Sequence, residues 1–278
     1  MSIKEHTQDL QALETAVKLL TDTPVMIKIT NVVGSTIEAG LKALPQKGRD
    51  VIQSATHKGL HKAVEIAGKT LEAKTQQASS KTHLLAAATT GAIGGFFGFA
   101  GLAVEIPATT VLMMRSILDI ARSEGHDITD SKVQLECLSV FSHGSESSDA
   151  DDKTDASYYA SRAALAEVMT EAARSLSKIA ADRAAKNLSA KTAGKWVAQL
   201  IDAIATRFGI VITEKAALQA APFLGAFTGA TVNSLFMDFY QDTARGHFTV
   251  LRLEEKYGME AIRSEFEQIR RAMAPPAR

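Results

Sequence analysis

Between residues 51 and 72 apolar positions recur at helical spacing. Leu60, Val64, Ala67 and Leu71 fall on one face and Lys58, Lys62, Glu65 and Lys69 on the other. The rest of the chain is helical in character too, because alanine, leucine, lysine, glutamate and glutamine fill most segments and all favour helix. No run of alternating β-branched residues is punctuated by hairpin turns. Residues 24–36, "PVMIKITNVVGST", are the one place where a strand can be argued.

Two stretches lack a polar face. Leu84 to Val104 is 21 residues without a charge, and Ala216 to Met237 is uncharged as well. The first is long enough to span a bilayer. Its eight Leu, Ile, Phe and Val residues contribute only about −2.5 to −5 kcal/mol to insertion, and the remaining Ala, Gly and Thr add little or oppose it. The second carries Gln219, Pro222, Asn233 and Ser234. Buried helices of a water-soluble core explain both, since such helices are apolar all round. Gly91 and Gly95, Gly94 and Gly98, and Gly225 and Gly229 are each four apart, a step that lets helix backbones approach closely. The expectation is a pair of glycine-stepped helices packed together at the centre of the fold.

Each apolar stretch runs into a charged helix end. Pro107 suits a first helical turn or a kink. Arg115, Asp119 and Arg122 then share a face, and Gly125 suits a C-terminal stop. Asp238, Asp242 and Arg245 repeat the spacing. "MRSILDIAR" and "MDFYQDTAR" align without gaps, which suggests a degenerate internal repeat. Surface ion pairs are one reading of these triplets, and partial burial with pairing across the two helices is the expected one. Glu105, close to the end of the first apolar stretch, is hard to place at a surface. His247 follows Arg245 and Gly246 at an apparent helix end, where it caps carbonyls or joins Glu105 in a polar cluster.

Composition narrows the classes. The chain of 278 residues is 46% hydrophobic and 22% charged, ordinary for a globular protein. Thirty-one basic and thirty-one acidic residues cancel, so overall charge gives no support for nucleic-acid binding. Only Lys42 to His83 is locally basic, with eight basic against three acidic residues. A basic amphipathic helix there is an ordinary surface or a contact with anionic lipid. The lone Cys137 forms no internal disulfide and fits a reducing cytoplasm; the charged N-terminus does not look like a secretion signal. Residues 143–156, "HGSESSDADDKTDA", form an acidic linker that lacks the glycine and glutamate of a calcium-binding loop.

Catalytic signatures are missing. Ala63 stands where a phosphate-binding loop ending in Gly68-Lys69-Thr70 needs its first glycine, and no G-x-S-x-G elbow occurs. His57, His61 and Glu65 share a face but break the metalloprotease pattern at Lys58. No metal and no cofactor is expected. Cys137, six residues before His143, reads as a buried apolar thiol.

"GGFFGFAGLAVEIPATTVLMMRSILDIAR", "CLSVFSHG" and "NSLFMDFYQDTARGHFTVLRLEEKYG" resemble the EcsC protein family across roughly residues 40–260. The resemblance implies a bacterial, all-helical protein in a membrane-linked context, because the operon behind the family's name also encodes an ABC transporter. It brings no assigned catalytic residue. It marks Glu105, Thr109, Thr110, Arg115, Asp119, Arg122, Asn233, Asp238, Arg245 and His247 as positions of the family pattern.

The expected architecture is all-α. A helical extension (1–40) precedes one large helical domain (41–260) whose halves meet at the acidic loop, and a helix end with a frayed tail follows (261–278). The expected function is that of a non-enzymatic accessory protein, cytoplasmic and peripheral at the inner membrane. It would bind lipid or a membrane-protein partner through a helical cleft, with Lys58, Lys62 and Lys69 toward the membrane surface. The alternative is a hydrolase-like enzyme built on Glu105, Arg115, Asp119, Asn233 and His247.

Overall fold

A computed structural model describes residues 2–21, 41–42, 44–70, 98–144, 157–181, 186–220 and 226–273. The proposed strand at 24–36, Leu71, most of the first apolar stretch with Gly91, Gly94 and Gly95, most of the acidic loop, Gly225 and the tail lie outside the described residues. The surroundings of Gly98, Gly229 and the Lys69 side chain lie outside them too. Within them the protein is all-α, with no strand. The helices are α1 (Thr7–Thr21), α2 (Gln46–Thr70), α3 (Gly98–Ser123), α4 (Ser131–Ser139), α5 (Ser157–Ala181), α6 (Lys186–Ala220), α7 (Ala226–Tyr257) and α8 (Met259–Met273). Two short 3₁₀ turns, Ile3–Glu5 and Val140–Ser142, complete the order.

Local chemistry sets several of these boundaries. The Asp130 carboxylate accepts from the Lys132 amide at 2.8 Å and caps α4. At the end of α3, Gly125 takes φ +93°, its amide donates to the Arg122 carbonyl, and the His126 amide reaches back to Ala121 at 3.0 Å. That is the paired-bond stop that only glycine makes without strain. Pro107, in contrast, lies inside α3 and not in its first turn. His247 is also interior, because α7 continues ten residues beyond it to Tyr257.

The helices pack as α2 along α3, α5 along α6 and α1 along α7, with α2 also touching α6 and α3 touching α7. The main core runs through α2, α3, α4, α6 and α7 and centres on large side chains such as Leu60, Met113, Met114, Phe208, Phe236 and Tyr240. Phe141 on the second 3₁₀ turn meets Phe208 at 5.0 Å and Tyr240 at 5.6 Å, so that turn is fastened to α6 and α7 at once. Each such aromatic pair contributes about 0.5–1.5 kcal/mol beyond its buried area. A smaller core joins Leu13, Ala16 and Val17 of α1 to Tyr158, Tyr159, Val250, Leu253, Ile262 and Phe266. The N-terminal segment, read from sequence as an extension, is therefore packed into the body of the molecule through α1.

Two close helix approaches depend on glycine. A Cβ on Gly59 of α2 would stand 2.8 Å from the Thr110 hydroxyl and 3.3 Å from the Pro107 Cα of α3. A Cβ on Gly246 of α7 would stand 2.7 Å from Leu20 Cγ and 3.1 Å from the Ala16 carbonyl of α1. Gly59→Leu should therefore cost about 1–3 kcal/mol through overpacking. Gly194→Ala, where the added carbon meets nothing within 4 Å, should hold or raise stability by up to about 1 kcal/mol. Urea melts of the two variants check the contrast.

Candidate functional site

The deepest polar site lies where α3, α6 and α7 meet. Lys215 Nζ of α6 donates to Glu105 Oε1 of α3 at 3.1 Å, and both side chains are 3% exposed or less. Asn233 Nδ2 of α7 donates to the same oxygen at 3.3 Å. The ammonium also lies 5.2 Å from the centre of the Phe236 ring, where it is attracted to the π face. Thr109, one turn beyond Glu105, is buried, and its hydroxyl has no hydrogen-bond partner among the described residues. Thr110 faces the other way. Its hydroxyl donates to the Ile106 carbonyl at 2.7 Å and packs toward Gly59.

His247 belongs to a second site. Its Nε2 bonds Glu136 Oε2 at 3.0 Å, and its Nδ1 pairs with the Tyr158 hydroxyl at 2.9 Å. The His143 ring stacks on Tyr158 at 5.7 Å, and the Tyr240 hydroxyl donates to the His143 carbonyl at 3.2 Å. Beside them Arg162 grips Glu254 with two bonds of 2.7 and 2.8 Å, and the Tyr159 hydroxyl donates to the same carboxylate at 3.0 Å.

The electrostatics follow from this packing. Burial works to raise the pKa of Glu136, but the His247 hydrogen bond and the charges of His247, Arg162 and Lys132 hold it below the usual glutamate value. Burial raises the Tyr158 phenol and the Cys137 thiol well above their usual values. His143 is driven down to about 3, first by burial and then by His247, Arg207 and Arg162.

The charged triplets lie toward the surface. Asp119 accepts from Arg122 at 2.6 Å and Asp242 from Arg245 at 2.7 Å, each within its own helix. Arg122 and Arg245 are each 42% exposed, and Arg115 and Asp238 are exposed. Asp119, Asp242 and Arg245 are partly buried, as expected, and the pairs seen here are local ones of about 0.3–0.5 kcal/mol each. The pKa of Asp238 is raised, mostly by its partial burial and then by Asp242.

The ten family-pattern positions therefore do not form one cluster. Fourteen residues separate Glu105 from Asp119, and fourteen separate Asn233 from His247. At the rise of a helix each gap is about 21 Å. Glu105 and Asn233 come together across helices, with Thr109 one turn along from Glu105, while Asp119 and Arg122 pair within α3. Lys215, Glu136 and Tyr158, their partners or those of His247, had no signal in the sequence, because each pairing spans at least 89 residues or links different helices.

A third feature is a cleft of about 450 Å³ between α2 and α6, with Arg49, Gln53 and His57 on one wall and Gly209, Ile210 and Glu214 on the other. His57 meets Asp202 of α6 at 3.5 Å, away from His61 and Glu65, which are exposed. Lys58 and Lys62 are exposed along α2.

An all-helical bundle that buries its polar groups in separate hydrogen-bonded clusters is the class these features define. The chain belongs to the EcsC protein family, whose model matches residues 2–253 and so takes in α1 as well as the helices from α2 through most of α7. No curated protein and no solved structure matches it.

Lys215→Met should destabilise by about 3–5 kcal/mol, because it strands the Glu105 carboxylate in the core. The double variant Glu105→Leu/Lys215→Met should recover most of that loss, and chemical denaturation of the three proteins measures the coupling. In a pH titration of stability, His143 takes up a proton in the unfolded chain below about 6.5 but in the folded one only near 3. Stability should therefore be complete above pH 6.5 and fall toward pH 3, by at most about 1.4 kcal/mol per pH unit from this group. His143→Gln should flatten that slope.

Proposed function

We propose that the protein is a non-enzymatic, membrane-associated factor that sits on the cytoplasmic face of a bilayer and binds lipid or a membrane partner. The observation that carries the reading is an exposed basic face, Lys58 and Lys62 of α2, packed beside α6, a helix of membrane-spanning length. Its segment Gly194–Leu218 is long and apolar enough to cross a membrane, and its Leu, Ile and Phe side chains other than Ile210 are buried in the protein. The corresponding stretch of α3, Gly101–Ser123, is 61% buried, as suits a core helix. The outward positions of the α6 segment carry Gln199, Asp202 and Thr206, and among them Ile210 is the exposed large apolar side chain.

Its neighbours fit an anionic interface. Lys58 and Lys62 are exposed on α2, which packs against α6. Trp196, the chain's single tryptophan, is partly exposed near the start of the apolar stretch with Lys195 5.8 Å from its ring. Tryptophan and lysine together are typical anchors at the headgroup level. The hydrolase-like reading needs Glu105, Arg115, Asp119, Asn233 and His247 around one substrate, and the separations of about 21 Å along α3 and α7 count against it.

Each lysine near an anionic surface contributes about 1 kcal/mol to attachment. Full-length protein should co-sediment with vesicles containing phosphatidylglycerol more than with neutral ones. Lys58→Glu/Lys62→Glu should weaken that binding at least tenfold. Equal recovery in the supernatant with both kinds of vesicle would overturn the reading.

A further inference from the structure

A glycine inside a helix lowers its stability relative to alanine, so it persists where something needs the space. For Gly59 and Gly246 that something is a neighbouring helix. Gly209, in the interior of α6, has no such neighbour, since a Cβ there would meet nothing within 4 Å. The room it leaves opens into the α2–α6 cleft, which it lines beside Ile210. Gly194 is equally open but lies away from the cleft, so of these two it is Gly209 whose missing side chain adds room to the cleft.

The opposite wall supplies a head-group contact. Arg49 is held in place by its own chain, with Nη2 donating to the Leu41 carbonyl at 2.9 Å and Nε to Leu44 at 3.5 Å. Among the described residues its Nη1 hydrogens meet no acceptor, which leaves them to an anionic oxygen. Glu214 also lines the cleft and is engaged in an interaction of its own. A volume of about 450 Å³ lies within the range of small-molecule sites.

We propose that the α2–α6 cleft binds a single-chain amphiphile, with its anionic head at Arg49 and its hydrocarbon chain over Gly209 and Ile210. This deepens the lipid-binding reading above and names its site. The shared chemistry is one acyl chain with an anionic oxygen head, which a free fatty acid and a lysophospholipid both provide.

The test uses the full chain without vesicles and cis-parinaric acid below its micelle concentration. Its fluorescence should rise saturably at one site per chain. Palmitate or lysophosphatidylethanolamine should displace it, the stronger competitor identifying the head group, and methyl palmitate, which lacks the charge, should compete at least tenfold more weakly. Gly209→Leu should cut probe affinity at least tenfold while its Tm equals or exceeds that of the wild type. Gly194→Leu, on an exposed part of the same helix, should bind as the wild type does. Wild-type affinity in folded Gly209→Leu, equal competition by the methyl ester, or no saturable binding would each overturn the proposal. Vesicle binding without probe binding removes the cleft assignment alone, and probe binding without vesicle binding removes the membrane reading alone.

Discussion

The ion pair between Glu105 and Lys215 is the constraint around which the helices are arranged. Taking two charges out of water costs several kcal/mol for each, and their attraction offsets this only with good geometry and further hydrogen bonds. Asn233 supplies one such bond, and the Phe236 ring lies within cation–π reach of the ammonium. Three helices are thereby set in one register. Sliding α3 or α6 by a single turn, 5.4 Å, would part the charges in a medium that screens them poorly. Side chains around them such as Ala216, Ala217, Leu218 and Val232 are fully buried but carry no directional preference. The apolar surfaces supply cohesion, and the polar triad chooses among the ways of satisfying it.

The helical class was legible because period and composition agree over most of the chain. Glu105 was legible as well, since a charge that follows 21 uncharged residues stands out. Lys215 was not, because it sits next to Glu214 and looks like a solvated pair at the edge of an apolar stretch. Helix α6 does not stand out in the sequence as an apolar helix for a similar reason. Asp202 and Arg207 interrupt it, although Asp202 is exposed and Arg207 reaches out to Ser161 of α5 at 2.7 Å. Spacing rules favoured glycines four apart, yet the close approaches within the described residues are made by Gly59 and Gly246, which belong to no such series. Their need arises from Thr110 and Leu20 on other helices. A one-dimensional pattern records which face of a helix is apolar but not which residue lies across from it.

The two buried polar sites differ in kind. The Glu105 site joins α3, α6 and α7 of the main core. The Glu136–His247–Tyr158 chain joins α4, α5 and α7 and reaches the smaller core through Tyr158 and its stacking on Phe266 at 5.4 Å. Glu254 adds a parallel tie to α5 through Arg162. Helix α7 takes part in both, so its 32 residues form the common beam of the fold. That sharing explains why the "ARGHF" block is dense in constrained side chains. Gly246 admits α1, His247 holds α4 and α5, and the Phe248 carbonyl bonds His126 at 2.9 Å.

The stacking of His143 on Tyr158 has a topological consequence. The backbone leaves this spot and returns to it after the acidic stretch, so both margins of that connection are anchored by the same ring contact. Closure is secured by the described neighbours on either side. Each doubling of such a connection costs only about 0.6 kcal/mol of chain entropy. This is the natural seam of the polypeptide, where a foreign module could be grafted or new termini opened with the two halves still clasped.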